Sequence, residues 1–379
     1  MQLTKKKRKT VLYLHGSSHL YGADKTILQL VRGLDPKRFR AVVALPKDGP
    51  LVPELIEAGA QVEIGPLGVG CRASMTALGA IKLALDTPRA IKFVRRVTAK
   101  YQPDIIHTNT LVVLGGAIGA WTTKTPHVWH VHEIMPERSK LTRFFSKALS
   151  ALSHVAVSNS HSTRESLGSA SGHEHEVILN GIEAEVASPS DRCHRPRILM
   201  VGRINSWKGQ ELLIDAAKSL RETHPEARYR IVGDAPPGQP HFEEALHRRI
   251  EEAQLQDVVT CVGFTKDTAS EFLAADIVVV PSTLPEPFGL VAVEAMAQGT
   301  PVVAANHGGL REIVVHNETG LLFRPGDALD LADQLDSLLN DPELAKRLGA
   351  AGLERQASLF SSKRYCADFA HLYERMAAA

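Results

Sequence analysis

Along the first half of the chain, short runs of β-branched and other apolar residues alternate with longer stretches whose apolar positions recur at helical spacing. Runs at Thr10–His15, Arg40–Leu45, Val62–Ile64, Asp104–Thr108, His127–Val131, Val155–Val157 and Val177–Leu179 predict strands, with helices between most of them. Strand followed by helix, repeated, predicts a mainly parallel sheet covered on both faces. From Ile182 to Pro196 the periodicity lapses into the polar string EAEVASPSDRCHRP, which reads as a linker.

The alternation restarts at Arg197–Val201, Tyr229–Val232, Val258–Val262, Ile277–Val280 and Pro301–Ala304, each a short apolar run of buried-strand type. Beyond Asp327 only helical periodicity remains, broken at Asp341-Pro342 and Phe360-Ser361. The pattern predicts an α/β protein of two doubly wound, Rossmann-like domains with an inter-domain cleft. Residues 1–185 form the first domain, 186–196 the linker and 197–360 the second domain, and a helix over 361–379 is expected to return to the first.

Composition narrows the class. With 379 residues, 44% apolar and 23% charged, the chain suits two soluble domains and excludes a fibrous or largely disordered protein. Cys71, Cys193, Cys261 and Cys366 are too scattered for a zinc knuckle or a redox pair, so a reducing cytoplasm is expected. Lys5 to Lys9 precede an apolar run, but Val11 to Leu14 is far shorter than the roughly 7–15 residues of a secretory core. No run approaches the roughly 18 apolar residues of a membrane span. Charge is uneven: residues 1–185 carry 24 Lys+Arg against 15 Asp+Glu, and residues 186–379 carry 20 against 27. A basic front half suits nucleic acid, an anionic membrane or a phosphorylated substrate, and charge alone leaves the three open.

Four groups of residues follow predicted strands, where open parallel sheets place their ligands. In VGRINSWKGQ, Arg203 leaves a strand and Lys208 opens the following helix, so two cations and helix N–H groups can converge on an anion; a surface arginine with a capping lysine is the plain alternative. A Walker A lysine is excluded, since no Gly-x4-Gly-Lys-Ser/Thr exists. In PSTLPEPFGLVAVEAMAQG, Glu286 lies in a loop and Glu294 about two turns into a helix that looks buried, where a carboxylate needs a partner. After the first strand, HGSSHLYGAD lacks a dinucleotide fingerprint, yet Tyr21, Gly22 and Asp24 open a helix that can receive an anion. Finally, His107, His130, His132 and Glu133 end two strands. His130 and His132 share a face, but no third metal ligand has suitable spacing, and contact with substrate hydroxyls or simple packing are the stronger readings.

GRINSWKG, IVGDA at Ile231–Ala235, VGF at Val262–Phe264 and above all PSTLPEPFGLVAVEAMAQGTPVVAANHGGLREIV resemble the group 1 (family 4) retaining glycosyltransferases of GT-B fold. The resemblance implies an N-terminal acceptor-binding and a C-terminal nucleotide-sugar-binding domain, and transfer of a hexosyl-type sugar from a UDP- or GDP-linked donor to a glycan or lipid-linked acceptor. By the same resemblance Arg203 and Lys208 neutralise the donor diphosphate, with amides near Phe288, Gly289 and Leu290. Glu286 contacts sugar hydroxyls, Glu294 the ribose, and Gly263, Phe264 and Thr265 the base; Gly22 and Gly202 complete the donor set. His132 joins the catalytic set, and Tyr21, Asp24, His107 and Glu133 fall on the acceptor side. Tyr21-Gly22-Ala23-Asp24 stands where many members have Gly-Gly-Ala-Glu, and Glu183 follows Asn180-Gly181-Ile182 where Asp is usual; both departures bear on the acceptor side or the hinge.

No Asp-x-Asp or His/Cys cluster suggests magnesium, so no metal cofactor is expected. A nucleotide-sugar epimerase and a non-catalytic sugar-nucleotide sensor are the alternatives, while nucleic-acid binding is disfavoured because the basic residues lack interleaved aromatics. Arg89, Lys92, Arg95, Arg96 and Lys100 occupy one predicted helix. On another, Arg138, Lys140, Arg143 and Lys147 lie beside Leu141, Phe144, Phe145, Ala148 and Leu149. The second has the makeup of an interfacial helix, or of an ordinary surface helix packed by its apolar side. The first reading places the protein in the cytoplasm, peripheral on the inner face of the membrane.

Overall fold

The computed structural model describes residues 8–70, 77–137, 139–168, 173–184, 195–236 and 238–378. Lys5, Lys6, Lys7, Cys71, Arg138 and Cys193, and most of the expected linker, lie outside them. The chain divides into two compact units, Met1–Glu183 with Ser362–Ala379, and Ala184–Ser361.

The N-terminal unit is built on a seven-stranded parallel sheet of order β3-β2-β1-β4-β5-β6-β7. Its strands are β1 (Lys9–His15), β2 (Phe39–Leu45), β3 (Gln61–Ile64), β4 (Ile105–Asn109), β5 (His127–Val131), β6 (Val155–Ser158) and β7 (Glu174–Val177). The last strand ends where a strand was expected to start, at Val177, because Ile178 and Leu179 continue past the sheet. The helices are α1 (Gly22–Gly33), α2 (Leu51–Glu57), α3 (Ala77–Tyr101), α4 (Leu114–Trp121), α5 (Lys140–Leu152) and α6 (His161–Ser166).

Alternation along the strands sorts side chains to the two faces. Val11 and Tyr13 of β1 join Ile105, Val128 and Val157 against α1, α2 and the C-terminal helix, whereas Leu12, Leu14 and Ile106 pack on Phe93, Val94 and Val97 of α3. Consecutive apolar residues in β1 are therefore the direct consequence of a sheet covered on both sides.

The C-terminal unit carries a six-stranded parallel sheet of order β10-β9-β8-β11-β12-β13. Its elements are β8 (Arg197–Val201), α7 (Gln210–Ser219), β9 (Arg228–Val232), α8 (His241–Glu252), β10 (Val259–Gly263), α9 (Thr268–Ala274), β11 (Ile277–Val280), α10 (Leu290–Ala297), β12 (Val302–Ala305), α11 (Leu310–Ile313), β13 (Leu321–Phe323), α12 (Ala328–Asn340) and α13 (Pro342–Leu359). Three-residue β13 was not expected: it is too short to show a period. Asp327 and Asp341 cap α12 and α13 through their side chains, and Pro342 takes the first turn of α13, so the start of α12 and the break at Asp341-Pro342 have a chemical cause. The last helix, α14 (Ser362–Met376), belongs to the N-terminal unit, where Tyr365, Phe369 and Tyr373 enter the core.

In each sheet the chain order reverses once, between β1 and β4 and between β8 and β11. Loops leaving the carboxyl ends of these strand pairs diverge to opposite faces and leave a crevice, the usual ligand position in such sheets.

Helix α5 is amphipathic, with its apolar side turned to the domain. Leu141, Phe145, Ala148, Leu149 and Leu152 are spent on a core cluster with Trp129, and of the expected aromatic anchors only Phe144 points outward, at 50% exposure. Among the described residues no helix is long and apolar enough to cross a membrane.

Candidate active site

At the crevice of the C-terminal unit the loop after β8 meets the loop after β11. Lys208 Nζ lies 2.6 Å from Glu286 Oε1, and the Ser282 hydroxyl donates to the same oxygen at 2.5 Å. Both charged side chains are mostly buried, at 18% and 9% exposure, so each needs the other or a substitute ion. The Trp207 ring lies 4.5 Å from the ammonium, and the Trp207 carbonyl accepts the Thr283 amide at 2.7 Å, tying the two loops together. Asn205 Oδ1 accepts the amides of Trp207 and Lys208 and so shapes the turn.

Two glycines make this approach possible. Gly209 has φ +87°, and a Cβ there would sit 2.0 Å from the Pro281 carbonyl. Gly308 has φ +55°, and a Cβ would stand 2.4 Å from the Glu286 carbonyl, which accepts the Gly309 amide at 2.7 Å. His307 Nε2 donates to the Ser282 carbonyl, so the loop after β12 braces the one carrying Glu286.

Gly202, Arg203, Lys208, Glu286, Phe288, Gly289, Leu290 and Glu294 thus fall on loops and a helix start beside β8 and β11. Gly289 is the N-cap of α10, whose first amides have no intrahelical acceptor. The Phe288 ring is buried against Phe360, which leaves its backbone as the functional part. Gly263 ends β10 and Phe264 and Thr265 follow it, with Phe264 57% exposed. Glu294 departs from expectation: it is the fifth residue of α10, just over one turn in, and it is half-buried rather than buried, because its neighbours Val293 and Ala295 take the core-facing positions. Gly22 belongs to the N-terminal unit, as the exposed first residue of α1, while the rest of the donor set belongs to the C-terminal unit.

In the N-terminal unit the carboxyl ends of β1, β4, β5 and β6 carry a continuous chain of polar side chains. His15 Nε2 pairs with Asp24 Oδ1 at 2.7 Å, Asn109 Nδ2 reaches His15 Nδ1 at 3.0 Å, and His132 Nε2 reaches Asn109 Oδ1 at 2.8 Å. Asn159 Nδ2 approaches His132 Nδ1 at 3.5 Å and its Oδ1 accepts from Thr163 at 2.8 Å. Burial works against the Asp24 carboxylate, but the His15 bond and charge, the Tyr21 amide and Ser17 outweigh it and hold its pKa below the ordinary range. Glu133 Oε2 accepts the amides of Leu111 and His132, yet burial still pushes its carboxyl up to about 7. Burial presses His132 down to about 3, so its ring is neutral.

The acceptor-side residues differ in their surroundings. His107 is 1% exposed, its Nδ1 lies 2.6 Å from the Tyr373 hydroxyl and its ring packs on Phe369, because it sits two residues short of the end of β4 under α14. Asp24 is 4% exposed and its Oδ1 lies 2.7 Å from His15 Nε2. Tyr21, the N-cap of α1, stays exposed. His15, Asn109, Ser282, Trp207 and His307 were missed; the signal for the first two was their place at strand ends, and for the last three their place in loops beside the strands already singled out. Among the described residues no group of three or more His, Cys, Asp or Glu side chains is placed to hold a metal ion.

The arrangement pairs a cation with a carboxylate beside a helix N-terminus in one doubly wound unit, with a polar cluster at the matching crevice of the other. Residues 184–355 match the family described as "Glycosyl transferases group 1", and residues 20–186 match "Glycosyltransferase Family 4". Glycogen synthase of Mycobacterium tuberculosis is 32% identical over 295 residues, covering 72% of this chain and 69% of that protein. D-inositol 3-phosphate glycosyltransferase of Pseudarthrobacter chlorophenolicus is 40% identical over 169 residues, 43% of this chain and 39% of that one. Anabaena HepE, solved in complex with UDP, superposes with a TM-score of 0.82 at 27% identity, covering 97% of this chain and 100% of that one. The chain belongs to the group 1 glycosyltransferases and has the GT-B fold.

Proposed function

We propose that this protein is a retaining, metal-independent transferase that moves a hexosyl-type sugar from a nucleoside-diphosphate donor to a hydroxyl of a glycan or lipid-linked acceptor. The Lys208–Glu286–Ser282 cluster beside Gly289 is the observation that carries the reading. As the sugar leaves, negative charge grows on the diphosphate, and Lys208, Arg203 and the first amides of α10 are donors suited to that charge. Glu286 then serves the sugar hydroxyls and Glu294 the ribose. Complexes of HepE with UDP and with UDP-glucose favour uridine over guanosine as the base.

Mutating the two glutamates separately tests these roles. Glu286→Gln is expected to impair use of the nucleotide sugar while sparing affinity for the free nucleoside diphosphate, whereas Glu294→Gln weakens both. Equal nucleoside diphosphate binding by wild type and Glu294→Gln would remove the ribose role. Analysis of the product's anomeric configuration tests retention, activity after chelation tests metal independence, and formation of an isomerised donor without transfer would establish an epimerase instead.

A membrane-side acceptor is favoured by one further observation. Lys140, Arg143, Phe144 and Lys147 are exposed on α5, and Leu85, Lys92 and Arg95 are exposed on α3. Each basic residue near an anionic leaflet contributes about 1 kcal/mol, enough in sum for reversible docking on the cytoplasmic face. Sedimentation with anionic vesicles at low salt tests it; absence of binding there would assign a soluble acceptor.

A further inference from the structure

The polar chain of the N-terminal unit has a direction. Thr163 donates to Asn159 Oδ1, Asn159 Nδ2 faces His132 Nδ1, His132 Nε2 faces Asn109 Oδ1, Asn109 Nδ2 faces His15 Nδ1, and His15 Nε2 faces Asp24 Oδ1. A carboxylate only accepts, so the chain must end on Asp24 with a proton on His15 Nε2. In neutral His15 that leaves Nδ1 as an acceptor, which turns the Asn109 amide so that its oxygen faces His132. His132 must then carry its proton on Nε2. Each link has one sense only, and the sense is set at the Asp24 end, where the Tyr21 amide at 3.0 Å occupies the second carboxylate oxygen.

Five of the six side chains, all but His132, are 4% exposed or less, so water is not at hand to break the sequence. The one long contact is Asn159 to His132 Nδ1, at 3.5 Å. That nitrogen is the position at which an incoming hydroxyl can replace a weak partner.

We propose that Asp24, His15 and Asn109 are positioning residues that set the tautomer of His132, keeping its proton on Nε2 and offering Nδ1 as an acceptor to a substrate hydroxyl. This rests on the reading of His132 as a group that meets substrate. None of the three needs to touch substrate. Their task is to remove the ambiguity of an imidazole, which otherwise presents a donor or an acceptor on the same nitrogen.

The test is spectroscopic and uses the full chain labelled with 15N-histidine, in which two-bond 1H–15N correlations separate the two neutral tautomers; the His132 signals are assigned by their loss in His132→Gln. Wild type is expected to show His132 protonated on Nε2, and an Nδ1-protonated ring overturns the proposal without any variant. Asp24→Asn should invert the tautomer. Its amide oxygen is claimed by the Tyr21 amide and its NH2 then faces His15 Nε2, so every later link reverses and the His132 proton moves to Nδ1. An unchanged His132 in folded Asp24→Asn overturns the proposal. Should that variant fail to fold, Asn109→Asp gives the opposite pattern. A carboxylate accepts from both rings, so His132 keeps its Nε2 proton while His15 gains one on Nδ1, and a changed His132 there contradicts the relay.

Affinity for UDP, measured by calorimetry on the same samples, should be unaltered in Asp24→Asn while transfer falls about 10-fold or more. An inverted tautomer with undiminished transfer would leave the relay standing and remove His132 from the substrate side, so the two readings fail separately.

Discussion

Replacing Lys208 by alanine removes the ammonium 2.6 Å from Glu286. At about 4 Å from a phosphate oxygen, a unit charge pair in a site with an effective dielectric constant near 20 interacts by about 4 kcal/mol. Part of that is already present in the bound ground state, so the expected loss of turnover is roughly 10²- to 10³-fold, or about 2.7–4 kcal/mol. The same change strands Glu286, 9% exposed, and leaves its Oε1 the Ser282 hydroxyl. An unsatisfied buried charge costs about 1–3 kcal/mol or more, and each kcal/mol lowers Tm by roughly 2–4 °C in a unit of this size. Stability and catalysis are therefore confounded in the single variant. The double variant Lys208→Ala/Glu286→Gln separates them when set against Glu286→Gln alone, because a neutral amide tolerates loss of the ammonium: Tm should recover toward wild type, while activity should fall well below that of the Glu286→Gln single variant. Steady-state assay of UDP release alongside thermal denaturation of all three variants makes the comparison. A folded Lys208→Ala enzyme within about threefold of wild-type turnover would refute the assignment of Lys208 to the leaving group.

Gly209→Ala should destabilise the C-terminal unit by more than about 2 kcal/mol, since the new Cβ meets a backbone carbonyl at 2.0 Å; Gly263→Ala, at φ +78° in open space, should cost only the roughly 1–2 kcal/mol of a left-handed residue, and equal Tm losses would contradict this account. Glu133 titrates near 7 in the folded protein, above its ordinary value near 4.5, so its contribution to stability is present below about 4.5 and is lost as pH rises through 7. Denaturant unfolding at pH 5 and pH 8 should accordingly show Glu133→Gln gaining on wild type at the higher pH, and a constant difference would deny the shift. His132→Ala should lower transfer without abolishing donor affinity; calorimetric loss of donor binding as large as that in Lys208→Ala would move His132 out of the acceptor-side role.

The doubly wound architecture was legible because strands buried on both faces leave unbroken apolar runs, such as Val11–Leu14 and Ile277–Val280, between helical stretches. The break at Asp341-Pro342 was legible because a capping side chain and a proline act locally. Lys208 and Glu286 stood out for a similar reason: each follows a strand end and precedes a helix start. Pairing between distant segments was not readable. Nothing in DIIHTNT says that His107 lies under Tyr373, 266 residues later, whereas Asn109 at the strand end meets His15 and His132. The apolar side of α5 likewise did not show its partner: that Leu141, Phe145 and Leu149 pack in the cluster of Trp129 is read only from the fold.

The account rests most directly on recognition of a nucleoside diphosphate through its phosphates. Calorimetric titration of the wild-type protein with UDP and with uridine isolates that contribution. UDP is predicted to bind at least about 100-fold more tightly than uridine, a difference of about 2.7 kcal/mol, and to lose most of that margin in Lys208→Ala. Equal affinity for the two, or a margin untouched by removal of Lys208, would contradict it.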